Sequence, residues 1–523
     1  MAKYDIVIIG GGHNGLTVGA YLAKAGVSVC LIEAKPYVGG GVVTREATLP
    51  GFKHDIYSTA HVFIPTNPLI RDDELKLVSK YGLKYMNPDP VAAVIFSDQS
   101  AITFYKDIDK TCESIAKISE RDAGAYRKFV EWTIPNIDMM LIGMYSPPPQ
   151  FGQMLSMLEK SEQGQEMLLA LLKSPLQIAE DWFENDKMKI ALTRLVAEVL
   201  ISPKTGGCGA NLFAGAMMHK YGFAFPEGGS GKLTEALEQC FKDLGGTVRT
   251  SSPVKSIKVE GGEARAVILE SGEEIEARKG VVSAVHVKQL FLQMLKREDL
   301  PTNFPTKVKR LRQNDFSGMS CPIALDTAPK YKVGGDVDRT WLIAVASSDL
   351  ETYLKEFDAL MYGYPVTDSP LLVCTTLHDE TRAPAGKHTL FLYHFEPYNL
   401  KEGGPARWDE VKQEVADGVL KTFQSYTTNI GDENILGRQV ISPLDLERDN
   451  PTWIEGDLMV SGTHLFQNLS NKPFIGWNYK TPVKKLYMAG GCTHPGGGVT
   501  CGGRAAVQVI MEDLNMDFRK LVS

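Results

Sequence analysis

The chain contains no uninterrupted apolar run approaching the ~18 residues that a membrane-spanning helix needs, so no span is expected. It has no basic excess either. Its 56 Lys and Arg against 63 Asp and Glu leave a net charge of −7, and without a dominant positive field a nucleic-acid partner is not expected. Cysteine is sparse: the eight form no C-x-x-C pair and no metal-ligand spacing, so neither a disulfide framework nor a metal site is expected. Such thiols suit a reducing compartment, and with only Met1-Ala2-Lys3 before the first apolar segment a cytoplasmic location is expected. What remains is an ordinary globular composition, 43% hydrophobic and 23% charged, in a chain of 523 residues that predicts two domains.

The first 35 residues hold the densest signal. Residues 4–9 are an apolar, β-branched run of the kind buried on both faces of a parallel sheet. The run enters Gly10-Gly11-Gly12-His13-Asn14-Gly15, with glycine at the first, third and sixth places of G-x-G-x-x-G. A helix over 16–25 and a second buried strand over 27–32, ending at Glu33, complete the unit. Gly10 permits a tight turn, Gly12 lets backbone N–H groups reach a pyrophosphate, and Gly15 lets the helix pack close to the sheet. The pyrophosphate then rests on the positive end of the helix dipole, beside His13 and Asn14. Glu33 can hold the two ribose hydroxyls and would repel a 2′-phosphate.

Ala34-Lys35-Pro36-Tyr37-Val38-Gly39-Gly40-Gly41 follows at once, then Thr44-Arg45. Glycines so close behind the acid predict a turn straight back to the cofactor. Ala34, Lys35, Gly40 and Gly41 are therefore expected beside it, with Arg45 available to a phosphate or a flavin.

Positions 65–218 read as mostly helical, with apolar spacing of three and four in 129–142, 154–172 and 190–201. Met139, Met140, Met144, Met154, Met157 and Met167 suit a greasy channel or plain core equally well. Pro147-Pro148-Pro149 breaks the helices. The stretch Gly228-Gly229-Ser230-Gly231-Lys232 fails the phosphate-loop pattern because Leu233 stands where Ser or Thr is needed, and it predicts instead a turn opening a helix over 232–244. Strands at 247–249, 254–259 and 280–285 should return to the nucleotide unit, bringing Val254 to the cofactor. Strands at 340–345, 371–377 and 389–395 with a helix over 410–426 read as the sheet and lid of a second domain. The basic cluster Lys307, Lys309, Arg310 and Arg312 is either a solvated face or a weak contact with an anionic membrane surface.

Near the end, a strand over 486–491 leads through Cys492-Thr493-His494-Pro495-Gly496-Gly497-Gly498-Val499-Thr500-Cys501-Gly502-Gly503 into an apolar helix over 505–514. A second glycine-rich helix start offers N–H groups to negative charge, and a reduced flavin carries such charge at its N1–C2=O2 edge. Gly490, Gly491, Gly498, Val499 and Thr500 are thus expected at the isoalloxazine ring, the N-terminal unit at the adenylate. The expected cofactor is FAD, ahead of NAD.

The motif Gly10–Leu16 together with Gly39-Gly40, Pro50-Gly51-Phe52, Gly228-Gly229 with Leu233 and Ala236-Leu237, and His494-Pro495-Gly496-Gly497-Gly498-Val499 resembles the phytoene desaturase-related FAD oxidoreductases. Within them it is similar to the branch of pyridine nucleotide-disulphide oxidoreductase domain-containing proteins. The resemblance implies an α/β architecture: a Rossmann-type FAD-binding domain of the glutathione reductase and amine oxidase kind, interleaved with an α+β substrate domain. The expected division is 1–64, 219–288 and 481–523 for FAD, and 65–218 with 289–480 for substrate. Two departures, Ile56 after Asp55 and a short Cys501-Gly502-Gly503 loop, lie near the flavin, so carotenoid desaturation is not implied.

The expected reaction is removal of hydride from an apolar or aromatic substrate to flavin N5, with oxygen, a quinone or another carrier taking the electrons. Alternatives are an FAD isomerase or hydratase without net redox, and a prenyl- or lipid-binding escort of the same fold. His494, His54 and Asp55 are the candidate acid–base groups, with His61 behind them. Cys492 reads as a buried thiol. Trp453, Phe466, Phe474, Trp477 and Tyr479 are expected as one substrate-side aromatic wall or as core.

Overall fold

In the computed structural model, residues 2–523 are described. The β-branched run at the N-terminus forms β1 (Ala2–Ile9), whose last four residues are fully buried, and β2 (Val29–Ile32) lies parallel beside it. On the other side β1 pairs in parallel with β3 (Glu274–Ser283), and β3 pairs in parallel with β4 (Leu486–Met488). Thr247–Arg249 closes the far edge against β2. The antiparallel strands Val254–Glu260 and Glu263–Leu269 extend the sheet from the first half of β3, which makes β3 the strand shared by both parts. This sheet therefore gathers segments from both ends and the middle of the chain. The helix α1 (His13–Lys24) covers it with Gly231–Asp243 and a C-terminal helix, α3 (Gly503–Asp513).

A second seven-stranded sheet runs in the order Ile435–Arg438, Ser317–Leu325, His388–Glu396, Leu371–Val373, Leu342–Ala346, Ala92–Phe96, Ala101–Phe104. The last two lie inside the 65–218 region, which is mostly helical as expected but also supplies these strands. Ala92, Val94 and Phe96 face one apolar core while Ala93 and Ile95 face another, so the strand shows no alternation and hides in a short apolar run. The helices that do form end where local chemistry ends them. The long helix α2 (Glu120–Met144) starts at Ser119, whose side chain accepts from Asp122 N, and stops ahead of the three prolines. The helix expected over 154–172 is two, Phe151–Leu158 and Glu162–Leu172, because Ser161 caps a new start by accepting from Gly164 N.

The division expected at 64/65 and 288/289 does not coincide with packing. Leu69, Leu75, Leu77 and Leu83 join the core around α1, and Leu290, Phe291, Leu300, Val308 and Leu311 join the core on the opposite face of the same sheet. Among the described residues, no helix is long and apolar enough to cross a membrane.

The helices α1 and α3 meet through backbone. A Cβ on Gly503 would stand 2.4 Å from Asn14 O and 3.1 Å from Val18 Cγ2. Gly503→Ala should thus separate the two helices and lower unfolding free energy by about 1–3 kcal/mol, the usual cost of overpacking. Urea unfolding checks this; a variant as stable as the parent would show that the contact relaxes freely.

Candidate functional site

The site begins where β1 ends. Gly10 takes φ +101°, which lets the chain leave the strand, and a Cβ on Gly15 would stand 2.1 Å from Gly10 O. Gly12, the cap residue of α1, has no side-chain cap, and the nearest atom to its absent Cβ is Gly40 Cα at 3.9 Å. The first N–H groups of α1 are therefore met by no capping side chain, and no bulky group stands at Gly12. Glu33 accepts from Gly11 N at 2.7 Å through one oxygen and from Lys35 N at 2.8 Å through the other. Each carboxylate oxygen keeps a lone pair for a ribose hydroxyl.

The expected turn back is present. Gly39 N donates to Gly11 O at 2.8 Å, and a Cβ on Gly40 would stand 3.1 Å from Gly12 Cα. Gly41 lies under the Trp453 ring, 2.7 Å from its absent Cβ. Ser252 N and Ser251 N donate to Glu33 O and Lys35 O, which brings the strand beginning at Val254 to the turn that carries Ala34.

The second glycine segment crosses the ends of three parallel strands. Ala284 N donates to Ile9 O, Ala489 N donates to Ser283 O, and a Cβ on Gly490 would stand 2.7 Å from Ala284 O. Gly491 is closed off by Val460, whereas Gly498, at φ +78°, has nothing within 4 Å of its absent Cβ. Val499 is buried, and Thr500 O accepts from Asn67 Nδ2 at 2.8 Å. Asn14 Oδ1 accepts from Gly503 N at 3.2 Å and so ties one helix start to the other. The His13 ring reaches the backbone of Gly498; burial pushes its pKa down to about 4, and Nε2 has no partner. Open space at Gly12 and Gly498, uncapped N–H groups and the partnerless His13 Nε2 and Ser283 Oγ fit an extended dinucleotide lying along this line.

Other candidates are placed differently. Lys35 Nζ pairs with Asp449 at 2.9 Å; Arg45 donates to Tyr57 Oη at 2.9 Å, stands 3.5 Å from Asp449 and stacks on Tyr37 and Tyr57. Asp449 carries one charge against their two, so Arg45 is partly engaged by the acid while its Nε keeps no partner. Asp55 accepts from Thr44 Oγ1 at 2.7 Å and Ser230 N at 2.8 Å, and pairs with Arg382 at 3.0 Å where both side chains are 1% exposed. It joins the hairpin of Thr44–Arg45 and His54–Asp55 to Ser230 and to the turn carrying Arg382, and is not a free base. His54 bonds Thr48 Oγ1 at 2.8 Å; burial and the Arg382 charge push it down to about 4. His61 is held by Tyr85 Oη and Ser230 Oγ, at 3.0 and 3.1 Å.

His494 keeps a reactive atom. Its Nε2 lies 3.0 Å from Gly143 O at the end of α2, and a carbonyl only accepts, so Nε2 carries the proton. Nδ1 is left buried without a partner, with burial holding the ring down to about 4. Burial pushes the Cys492 thiol up to about 11, as a structural cysteine requires.

The five aromatics do not form one wall. Trp453 packs edge-on to Tyr57, Phe474 and Trp477 cluster with Phe304, Phe466 is 58% exposed, and Tyr479 donates to His494 O. Phe391, Tyr393 and Phe395 on His388–Glu396, joined by Phe316 and Phe357, form the contiguous aromatic wall of the core instead. Their every-second-residue spacing was the signal in the sequence. Arg382 gave none, lying 327 residues from Asp55. Lys472 did: it is the one charged residue between Leu465 and Tyr479.

Residues 15–382 match the family model described as flavin containing amine oxidoreductase. The chain is 26% identical to a limonene dehydrogenase subunit from Castellaniella defragrans, over 98% of this chain and 95% of that protein. It is 28% identical to pyridine nucleotide-disulfide oxidoreductase domain-containing protein 2 of Rattus norvegicus, over 98% and 94%. Among solved structures, a putrescine oxidase variant shares the fold with a TM-score of 0.63 at 15% identity, over 98% of this chain and 99% of that one.

If Asp55 is a joint, removing its cation leaves a buried charge alone. Arg382→Met should cost about 3–5 kcal/mol, whereas replacing both partners, Asp55→Asn with Arg382→Met, should recover part of it. Denaturant unfolding of the two variants tests this, and equal losses would return Asp55 to the list of free acids.

Proposed function

The chain belongs to the flavin-containing amine oxidoreductase family, and on that premise we propose that it is an FAD-dependent dehydrogenase of an apolar substrate. It is an FAD oxidoreductase, and the finer reading rests on one observation. Two glycine-rich helix starts, nearly the whole chain apart in sequence, meet at the ends of β1, β3 and β4, the first without a side-chain cap and the second tied to it through Asn14 Oδ1. When bound, FAD supplies a hydride acceptor at N5.

The protein's own groups supply the rest. The N–H groups at the α1 start and the Glu33 carboxylate hold the adenylate half, and the Gly498–Thr500 segment holds the ring half. We assign His494 Nδ1 the proton that the substrate loses; what supports this is that Nδ1 has no partner while the other nitrogen is fixed on Gly143 O. Phe391, Tyr393 and Phe395, all buried, offer a dry apolar surface that orients a hydrocarbon and excludes water. Dehydrogenation of a hydrocarbon also accords with the relative named as part of a limonene dehydrogenase. The electrons leave to oxygen, a quinone or another carrier.

An apolar substrate partitions into lipid, and one surface suits a membrane. Phe466 and Ile475 are 58% and 75% exposed. Phe474 packs on Phe304 at the start of Phe304–Lys309, and the Arg312 backbone bonds Gln467. This places Lys307, Lys309, Arg310 and Arg312, all exposed, beside the two apolar side chains. Cations flanking exposed aromatic and aliphatic groups match the interface of an anionic bilayer.

The purified protein should be yellow, and anaerobic mixing with cyclic or polyene hydrocarbons should bleach the flavin, with colour restored by air. Substrate rearranged without bleaching would make it an isomerase instead; a colourless protein that takes up no FAD would end both readings. Co-sedimentation with phosphatidylglycerol vesicles should exceed that with phosphatidylcholine. It should fall at least tenfold in Phe466→Ser/Ile475→Ser, and equal recovery from both lipids would remove the membrane surface.

A further inference from the structure

Lys472 is 1% exposed, and burial lowers its pKa. Among the described residues its Nζ has one hydrogen-bond partner, Ser461 O at 3.4 Å, a long contact for an ammonium with three donors. Among the described residues no carboxylate comes within 4.0 Å of Nζ. Asp457, the acid whose field reaches it, is held by Asn314 N, Asn314 Nδ2 and Met459 N. A buried cation without a counter-ion is costly, on the order of several kcal/mol, and a chain keeps one where a ligand supplies the opposing charge.

The place of the charge identifies the ligand. Nζ is 3.4 Å from the position a Cβ would take on Gly496, at φ +123° in the segment that crosses the ends of β3 and β4. The field of Lys472 is felt by Cys492 and His494 on that segment and by His286 just beyond β3. All three are uncharged near neutral pH, because burial raises the thiol and lowers both imidazoles, so none screens the ammonium. Asp457, the acid whose field reaches it, makes no contact pair and is held by Asn314 and Met459, so the ammonium is a positive charge without a contact ion pair behind the segment assigned above to the flavin ring.

We propose that Lys472 tunes the reduction potential of the bound FAD by stabilising the negative charge that the flavin acquires on reduction. This rests on the FAD placement given under Proposed function. A hydride carries two electrons and one proton, so its uptake adds one negative charge to the flavin. Lys472 neither gives nor takes a proton in the step; it acts through space as the counter-ion.

The experiment is spectroelectrochemical titration of the holoenzyme, its FAD content measured first. Lys472→Met and Lys472→Gln should shift the balance toward oxidised FAD by about tenfold, close to 30 mV for a two-electron couple, and Lys472→Arg should restore most of it. A merely structural lysine would change stability or FAD content and leave the potential of the retained flavin alone, and that result overturns the proposal. Should neither neutral variant retain FAD, the wild type decides: a potential above that of free FAD in the same cell supports the assignment, and one at or below it overturns it. A wild type that binds no FAD defeats the cofactor placement itself.

Discussion

Two backbone-on-backbone approaches govern this molecule: Gly15 against Gly10 O, and Gly503 against Asn14 O. Neither leaves room for a methyl group. Together they bring α1 and α3 close enough for Asn14 to bond the first N–H of α3, and both helices start beside the ends of β1, β3 and β4. Everything that depends on a charged cofactor follows from that convergence. The first N–H groups of α1 are met by no capping side chain, and the second segment stays open at Gly498 because nothing packs there.

Around this line the protein separates charges that hold the fold from groups left for chemistry. Asp55 and Arg382 neutralise each other out of water and fasten the N-terminal hairpin to the turn carrying Arg382, and Asp449 gathers Lys35 and Arg45. His54 and His61 are consumed by hydroxyl partners. Groups with spare capacity remain near the second segment: His494 through Nδ1, His13 through Nε2, Ser283 through Oγ, and Lys472 through its charge. Satisfied polar groups rigidify a site, whereas unsatisfied ones cost stability and are retained where a ligand meets them.

The parts legible in the sequence were those in which local pattern and final contact involve the same few residues. Gly10 to Gly15, the return at Gly39-Gly40 and the segment from Gly490 to Thr500 are local motifs, and the structure sets them side by side. Ala92–Phe96 was hidden because a strand buried on both faces carries no alternation. Asp55 looked free because its partner is far away in the chain, and Arg45 looked unengaged because Asp449 is too. The aromatic segment failed for a different reason. Trp453 to Tyr479 is contiguous in sequence, but its loops run between two cores, so neighbours along the chain face different surroundings.

The family is described by amine chemistry, but the interior of this member offers an ammonium little. Of the buried acids near the aromatic wall, Glu198 is bonded to Arg194, and burial raises it and Glu396 above the ordinary carboxylate range. Arg194 itself stacks over Phe395 at 4.5 Å, and Lys472 adds a second buried cation near the ring segment. With Arg194 paired to Glu198, a cationic substrate of the proposed reaction would meet Lys472 as a like charge, and at an effective constant near 20 repulsion over several ångströms amounts to about 2–4 kcal/mol. A neutral hydrocarbon pays no such penalty and gains the full transfer of its surface onto Phe391, Tyr393 and Phe395. Arg194 is paired with Glu198, so on the proposed reading Lys472 is the charge that both disfavours a bound amine and favours the electron-rich flavin left after hydride uptake.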